Sequence, residues 1–364
     1  MDRTSRTTTG RDALREMQQQ AGAVFPEGDD ASLGPLHFDD PAGEYKAAVE
    51  RCAVLELPGR ARIELTGGDR ASFLHNFCTN DINRLAAGEG CEAFVTSVKG
   101  RILGHIFVGA DTDSLWIDSG PGSDEFLLAH LDKYLITEDV ELHNRTGQFG
   151  SLLVCGPDAA KCVDNALGID AGGLAMCHHA SGVLDERTVT ATRVPFTTQP
   201  SYLLTVESEL LARLWEMVAA TDAQPTGSAV FDVLRIEAGM PVYGRDISEE
   251  QIAQEAGRNE AAISFTKGCY LGQEPIARLD ALGHVNRELR GLRIESESAP
   301  EIGAKVFGET GEKEVGSITS SAACPGEERS VALALLRREC TQPGTLVTIG
   351  GAEGERVTAE VFWE

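Results

Sequence analysis

The chain has 364 residues, 42% hydrophobic and 24% charged, with 57 acidic against 32 basic side chains and a formal net charge of −25. That size and balance suit two or three packed domains and exclude a disordered chain. So acidic a surface repels phosphate backbones and anionic lipid; extensive direct nucleic-acid or membrane binding is disfavoured, though a local basic pocket could still hold a small anion.

Residues 1–40 read as an amino-terminal extension, with a short helix around Asp12–Met17 and a polar stretch at Pro26–Asp30. No apolar run follows Met1–Arg6, so no secretory leader is expected, and no stretch reaches the roughly 18 apolar residues of a membrane span. From Glu44 the pattern becomes regular. Tyr45–Leu55 predicts a helix, Ala61–Thr66 a half-buried strand, and Arg70–Phe77 a helix that stops near Thr79-Asn80-Asp81. Cys91–Val98, Arg101–Val108 and Ser114–Asp118 follow as strands, and Ser123 is placed to cap a helix with Phe126, Leu127, Leu131 and Leu135 on one face.

Further along, Ser151–Cys155 reads as a strand, followed by a helix opened by Pro157 and stopped by Gly168. Thr188–Val194 and Tyr202–Val206 are strands, Leu210–Val218 a one-faced helix, and Ser228–Ala238 a helix ended by Gly239. Residues 41–285 therefore form an α+β region of two interleaved subdomains. From residue 286 to 364 six short strands at close spacing, beginning at Leu289, Lys305, Val315, Val331, Thr345 and Arg356, predict a small β-barrel or sandwich.

Nine cysteines occur without a Cys-x-x-Cys pair, against both a disulfide framework and a Cys-rich metal ligand set. Reduced thiols in a cytoplasmic compartment fit that usage, and no metal site is expected. Cys177-His178-His179 gives adjacent residues that point to opposite faces of an extended chain, a poor ligand set.

Two segments carry chemistry. Arg235-Ile236-Glu237-Ala238-Gly239 ends a helix, where Arg235 and Glu237 either face a ligand or form a structural pair. The sharper one is Ser264-Phe265-Thr266-Lys267-Gly268-Cys269-Tyr270-Leu271-Gly272-Gln273-Glu274, followed by Ala277-Arg278. Two glycines four apart let the backbone approach a partner closely. Lys267 stands two residues before Cys269, and a nearby ammonium raises the reactive thiolate fraction. The alternative for Cys269 is the common fate of a free cysteine, a small buried hydrophobe.

Lys267–Glu274 resembles the Lys-Gly-Cys-Tyr/Phe-x-Gly-Gln-Glu signature of YgfZ-type proteins, relatives of the glycine-cleavage aminomethyltransferases. Asn286-Arg287 fits the same pattern, Arg235–Gly239 resembles a segment shared with the transferases, and Phe73-Leu74 to Thr79-Asn80-Asp81 resembles their amino-terminal motif. The resemblance spans residue 44 to the end. It implies three domains in a ring around a central tetrahydrofolate channel, the last a β-barrel. It also implies a role in upkeep of iron–sulfur enzymes, with these or their assembly proteins as clients, and a link to tRNA modification. Cys269 and Lys267 would be the key chemical residues; Arg235, Gln199, Asn80, Tyr270, Gln273, Glu274 and Arg278 would contact the folate.

The departures are informative. Aminomethyltransferases carry an Asp pair after a Gly-Ile-Leu stretch, whereas Gly104 and His105 stand there in Gly100–Ile106. His105 is either a substitute proton carrier or a structural residue in an apolar strand. The folate-clamping Glu of the transferases falls near Gln199, which can bond a pterin edge but carries no charge. Three readings stay in play: a folate-dependent protein of iron–sulfur upkeep, an aminomethyltransferase making methylene-tetrahydrofolate, and a folate-binding scaffold without chemistry.

Overall fold

A computed structural model describes residues 10–27, 33–350 and 356–363. The amino-terminal segment and the stretch from Gly28 to Asp30 lie outside the described residues. In chain order the first half holds α1 (Gly10–Gln20), α2 (Pro41–Glu50), β1 (Ala53–Glu56), β2 (Ala61–Thr66), α3 (Arg70–His75), β3 (Gly90–Thr96), β4 (Ile102–Ala110), β5 (Leu115–Ser119), α4 (Asp124–Asp132), β6 (Glu141–Asn144) and β7 (Phe149–Cys155). Next come α5 (Ala159–Leu167), β8 (His179–Leu184), β9 (Arg187–Arg193), β10 (Ser201–Glu207), α6 (Leu211–Ala219), β11 (Gln224–Pro225), α7 (Ser228–Glu237), α8 (Asn259–Ala262) and α9 (Gln273–Leu282). The last part holds β12 (Arg287–Ile294), β13 (Lys305–Phe307), β14 (Glu314–Ala323), β15 (Ser330–Arg337), β16 (Leu346–Gly350) and β17 (Arg356–Val361).

These strands form two open sheets and a barrel. One sheet runs β11-β1-β7-β10-β9-β8, the other β3-β4-β5-β2-β6. The barrel closes in the order β12-β15-β14-β13-β16-β17, because β12 pairs with both β15 and β17. Mixed helix and sheet with a closed six-stranded carboxy-terminal barrel is the architecture the sequence predicts.

The helix read over Tyr45–Leu55 is cut short. α2 stops at Glu50, and Ala53–Glu56 becomes a strand buried on both faces between β7 and β11. A short apolar run without alternation does not distinguish such a strand from buried helix. Ser123 occupies the N-cap position of α4, but its hydroxyl donates to the carbonyl of Gly120 instead of capping the helix. Phe126 is half exposed, so only Leu127 and Leu131 of the expected stripe are buried on α4. Gly168 does end α5 in the left-handed conformation.

α1 is more firmly attached than an extension. Leu14 is fully buried in a core with Val54, Leu152 and Trp215. Gln18 Nε2 and Arg11 Nε each donate to the Glu56 carboxylate at 3.1 Å. At the other end, Trp363 packs on the barrel face turned toward α7, against Gly239, Gly257 and Gly291. A β-carbon on Gly239 would meet its ring at 2.8 Å, and Gly239 also takes φ +65°. The glycines leave room for the indole between the end of α7 and β12.

Candidate functional site

The signature loop, Ser264–Leu271, is stapled to the segment that follows α3. Ser264 N–H donates to the Thr79 carbonyl at 2.9 Å and Leu271 N–H to the Asn76 carbonyl at 2.8 Å. Thr79 and Thr96 hydroxyls, both on buried residues, donate to the carbonyls of Ala262 and Leu271, each at 2.6 Å. Gly272 then turns the chain into α9 with φ +86°, and a β-carbon there would run into the Ser97 carbonyl, a position with no space for a side chain. Helix α9 itself was not legible in the sequence, where its first residues read as loop.

Lys267 anchors the loop from beneath. Its ammonium is buried and donates to the carbonyls of His75 (2.5 Å), Cys78 (2.7 Å) and Asn80 (2.8 Å), with the Tyr270 ring 4.8 Å away. An ammonium has three protons, and all three are used. Lys267 is therefore a structural tie and not the free cation beside the thiol that the spacing suggests. Burial lowers its pKa and pushes that of Tyr270 up to about 12.

Cys269 itself is exposed. Of the nine cysteines, all unpaired, seven are buried and Cys91 is intermediate. Burial drives the thiols of Cys155, Cys177 and Cys324 to about 12 and that of Cys78 to about 11, which keeps them protonated and slow.

The other predicted residues divide into three groups. Asn80 joins the loop, but its amide is spent on the carbonyls of Glu92 and Ala261 and on the N–H of Asp81. Gln273 is half-buried, and Glu274 and Arg278 are exposed, all on α9 just past the loop. Gln199 and Arg235 belong elsewhere. Arg235 is 1% exposed and held by four bonds: Nε meets Asp232 (2.6 Å), Nη1 meets Asp246 (3.1 Å) and the Met240 carbonyl (3.3 Å), and Nη2 meets Ser320 of β14 (2.9 Å). It ties α7 to the barrel with four of its five N–H donors.

His105 resolves as structural. Its Nε2 lies 2.8 Å from Glu92, which also accepts from Nε and Nη2 of Arg258, and its ring packs between Phe94 and Phe107. Burial opposes the Glu92 charge, but the hydrogen bonds from Arg258 and His105 prevail and hold its pKa down to about 2. At Gly104 a β-carbon would stand 2.7 Å from Leu127 Cδ2, so a side chain there requires the Leu127 side chain to shift.

A cleft of about 440 Å³ opens between β4–β5 and β8–β10, within the range of drug-sized ligand sites. Arg62, Phe107, Trp116, Asp118, Phe149 and His179 line it; no residue of the signature loop does. The Arg62 guanidinium lies 4.5 Å from the Trp116 ring centre and 5.3 Å from that of Phe149, and its Nε is buried without a hydrogen-bond partner. Burial lowers the Arg62 pKa despite nearby Asp118 and Asp111. Asp118 is held by Arg60, and Asp111 by a 3.1 Å contact from His179 that lowers its own pKa. The sequence reading missed this cleft. Its one local signal was Arg60-Ala61-Arg62, two cations at the start of a strand otherwise reading as half-buried.

The GCVT N-terminal domain model matches residues 14–267, and the glycine cleavage T-protein C-terminal barrel domain model matches residues 287–363. A chloroplastic protein of Arabidopsis thaliana with a transferase name is 27% identical over 86% of this chain and 72% of its own length. An aminomethyltransferase of Corynebacterium jeikeium is 26% identical over 96% of this chain and 93% of its own. In three dimensions the glycine cleavage system aminomethyltransferase T of Bartonella henselae superposes with a TM-score of 0.84, at 20% identity and 96% coverage of both chains. No helix among the described residues is long and apolar enough to cross a membrane.

Proposed function

Since the chain belongs to the glycine cleavage T-protein family, we propose that it is a tetrahydrofolate-binding protein of the YgfZ type that supports iron–sulfur cluster assembly or repair through the Cys269 thiol. The observation that carries this reading is the display of that thiol. One cysteine of nine is exposed, on a loop fixed from below by Lys267 and turned outward between two glycines.

The Arg62–Trp116 cleft suits the folate. Its aromatic walls offer faces for a flat ring system, and the Arg62 guanidinium lining it brings a positive charge to a carboxylate. Because the signature loop does not line this cleft, the thiol acts on a client or on a folate portion that reaches beyond the cleft, not on a ring seated within it.

Aminomethyl transfer is disfavoured by two contacts. Leu127 fills the space a side chain at position 104 would need, and His105 is committed to Glu92. Neither position offers a carboxylate to the folate nitrogen.

Two measurements test the reading together: calorimetry with tetrahydrofolate and its formyl derivative, and restoration of iron–sulfur enzyme activity in cells lacking their own such protein. Binding that survives Cys269→Ala together with lost restoration supports the proposal. Restoration by Cys269→Ala would leave a folate scaffold, and absence of any folate binding would overturn the folate assignment.

A further inference from the structure

Cys52 lies between α2 and β1, and Cys162 stands on α5. They are 3% and 5% exposed and share one core with Val54, Val163 and Trp215. The backbone holds them together: Asp158 N–H donates to the Arg51 carbonyl at 2.8 Å, and Cys162 N–H to the Asp158 carbonyl at 3.0 Å. The turn after α6 closes over both. Gln224 N–H donates to the Cys52 carbonyl at 3.0 Å, and the Cys162 thiol to the Thr221 carbonyl at 3.6 Å. The two side chains also act on each other. Burial pushes the Cys52 pKa up, and the hydrogen bond with the Cys162 side chain is the next largest influence in the same direction. Both thiols line a cleft of about 1070 Å³ with Arg51, Asp158 and Lys161.

We propose that Cys52 and Cys162 are a redox modification site, where hydrogen peroxide entering the cleft joins them in a disulfide that staples the start of β1 to α5. Cys162 loses its proton and its sulfur attacks the peroxide; the O–O bond breaks, sulfur is oxidised to the sulfenic acid, and hydroxide leaves. The Cys52 sulfur then attacks the sulfenic sulfur, the S–O bond breaks, and an S–S bond forms. The Cys162 proton and the departing hydroxide make one water, and the Cys52 proton and the sulfenic hydroxyl make the second. The inference does not depend on the role proposed for Cys269.

The pairing is selective. Cys155 lies close enough to influence Cys52, but it pairs with Ala53 across β7 and β1 and belongs to the other core, with Leu55 and Leu153. Successive side chains of a strand face opposite sides of its sheet. The sheet therefore stands between Cys155 and Cys162, while Cys52 and Cys162 share a side. Because Cys52 is held in its protonated form, it takes the resolving part and Cys162 the attack. The new bond closes a loop of about 110 residues, long enough to restrict the unfolded chain strongly.

The test treats the folded full chain with hydrogen peroxide, alkylates the remaining thiols with N-ethylmaleimide during denaturation, and maps the peptides by mass spectrometry before and after dithiothreitol. The Cys52 and Cys162 peptides are expected to be linked, lighter than their sum by two hydrogens, and to separate on reduction. The urea midpoint of the oxidised chain should lie about 1 M above that of the reduced chain. In Cys162→Ala that rise should vanish, with Cys52 recovered alkylated. Recovery of both Cys52 and Cys162 alkylated from peroxide-treated wild type would overturn the proposal, as would a separate sulfinic acid on each. A link that forms only in chain unfolded by urea before oxidation would do the same. If Cys162→Ala does not fold, the peptide map of wild type decides by these criteria.

Discussion

Arg258 grips Glu92 with Nε at 2.8 Å and Nη2 at 2.6 Å, in a place where the Glu92 side chain is 2% exposed and His105 supplies a third contact. The pair joins the approach to α8 with β3 and so sets where the signature loop begins. Removing one member strands a buried charge, and Arg258→Ala is expected to cost about 3–5 kcal/mol in urea unfolding.

The same contact predicts acid sensitivity. The folded-state pKa of Glu92 is depressed from the ordinary 4.5 to about 2, so the stabilisation is present above the unfolded value and lost as pH falls from about 4.5 through about 2. Unfolding midpoints measured across that window should fall less steeply in Glu92→Gln, whose neutral amide lacks the linkage, than in wild type.

Arg235→Ala is expected to weaken the fold, not selectively the ligand site. It leaves Asp246 buried and uncompensated and cuts α7 from Ser320, a loss of about 3–5 kcal/mol by denaturation. Calorimetry on the folded fraction should return an unchanged folate affinity. A large affinity loss at unchanged stability would mean that the guanidinium leaves its internal partners to meet the ligand.

Lys267→Met should leave three carbonyl oxygens without their donor and lower stability by about 2–4 kcal/mol. Limited proteolysis is expected to cut within Ser264–Leu271 faster than in wild type. Lys267→Arg should not restore the loop, because a planar guanidinium does not reproduce three converging donors of an ammonium.

Gly104→Asp, which reinstates a carboxylate at the transferase position, is expected to destabilise by about 1–3 kcal/mol through the clash with Leu127. Aminomethyl transfer from a loaded lipoyl carrier should remain absent; its appearance would revive the transferase reading.

Much of the architecture was legible because it rests on local periodicity. β2 alternates buried and half-buried residues along its length, and the six barrel strands sit between Gly and Pro turns close to their predicted starts. β1 was misread because it is buried on both faces, and α9 because Gly272 and Pro275 look like loop punctuation although the helix begins just past that turn. At the site, Cys269 was found by its signature, but the anchorage of its loop was not. His75 and Cys78 lie about 190 residues upstream and reach the loop through bonds such as Lys267 to the His75 carbonyl. Arg235 and Lys267 misled for a common reason: sequence shows a charge but not whether its donors are already engaged.

The seat of Trp363 among Gly239, Gly257 and Gly291 bears on biosynthesis. The contacts with Gly239 and Gly257 join residues more than 100 positions apart, so a nascent chain can assemble both open sheets while the indole is still unmade. The barrel cannot settle into its final seat on α7 until residue 363 has been translated and has cleared the ribosomal tunnel. Until that moment the faces around the three glycines stay bare, and a stalled ribosome would hold the protein in a form vulnerable to proteases and to association with other unfinished chains.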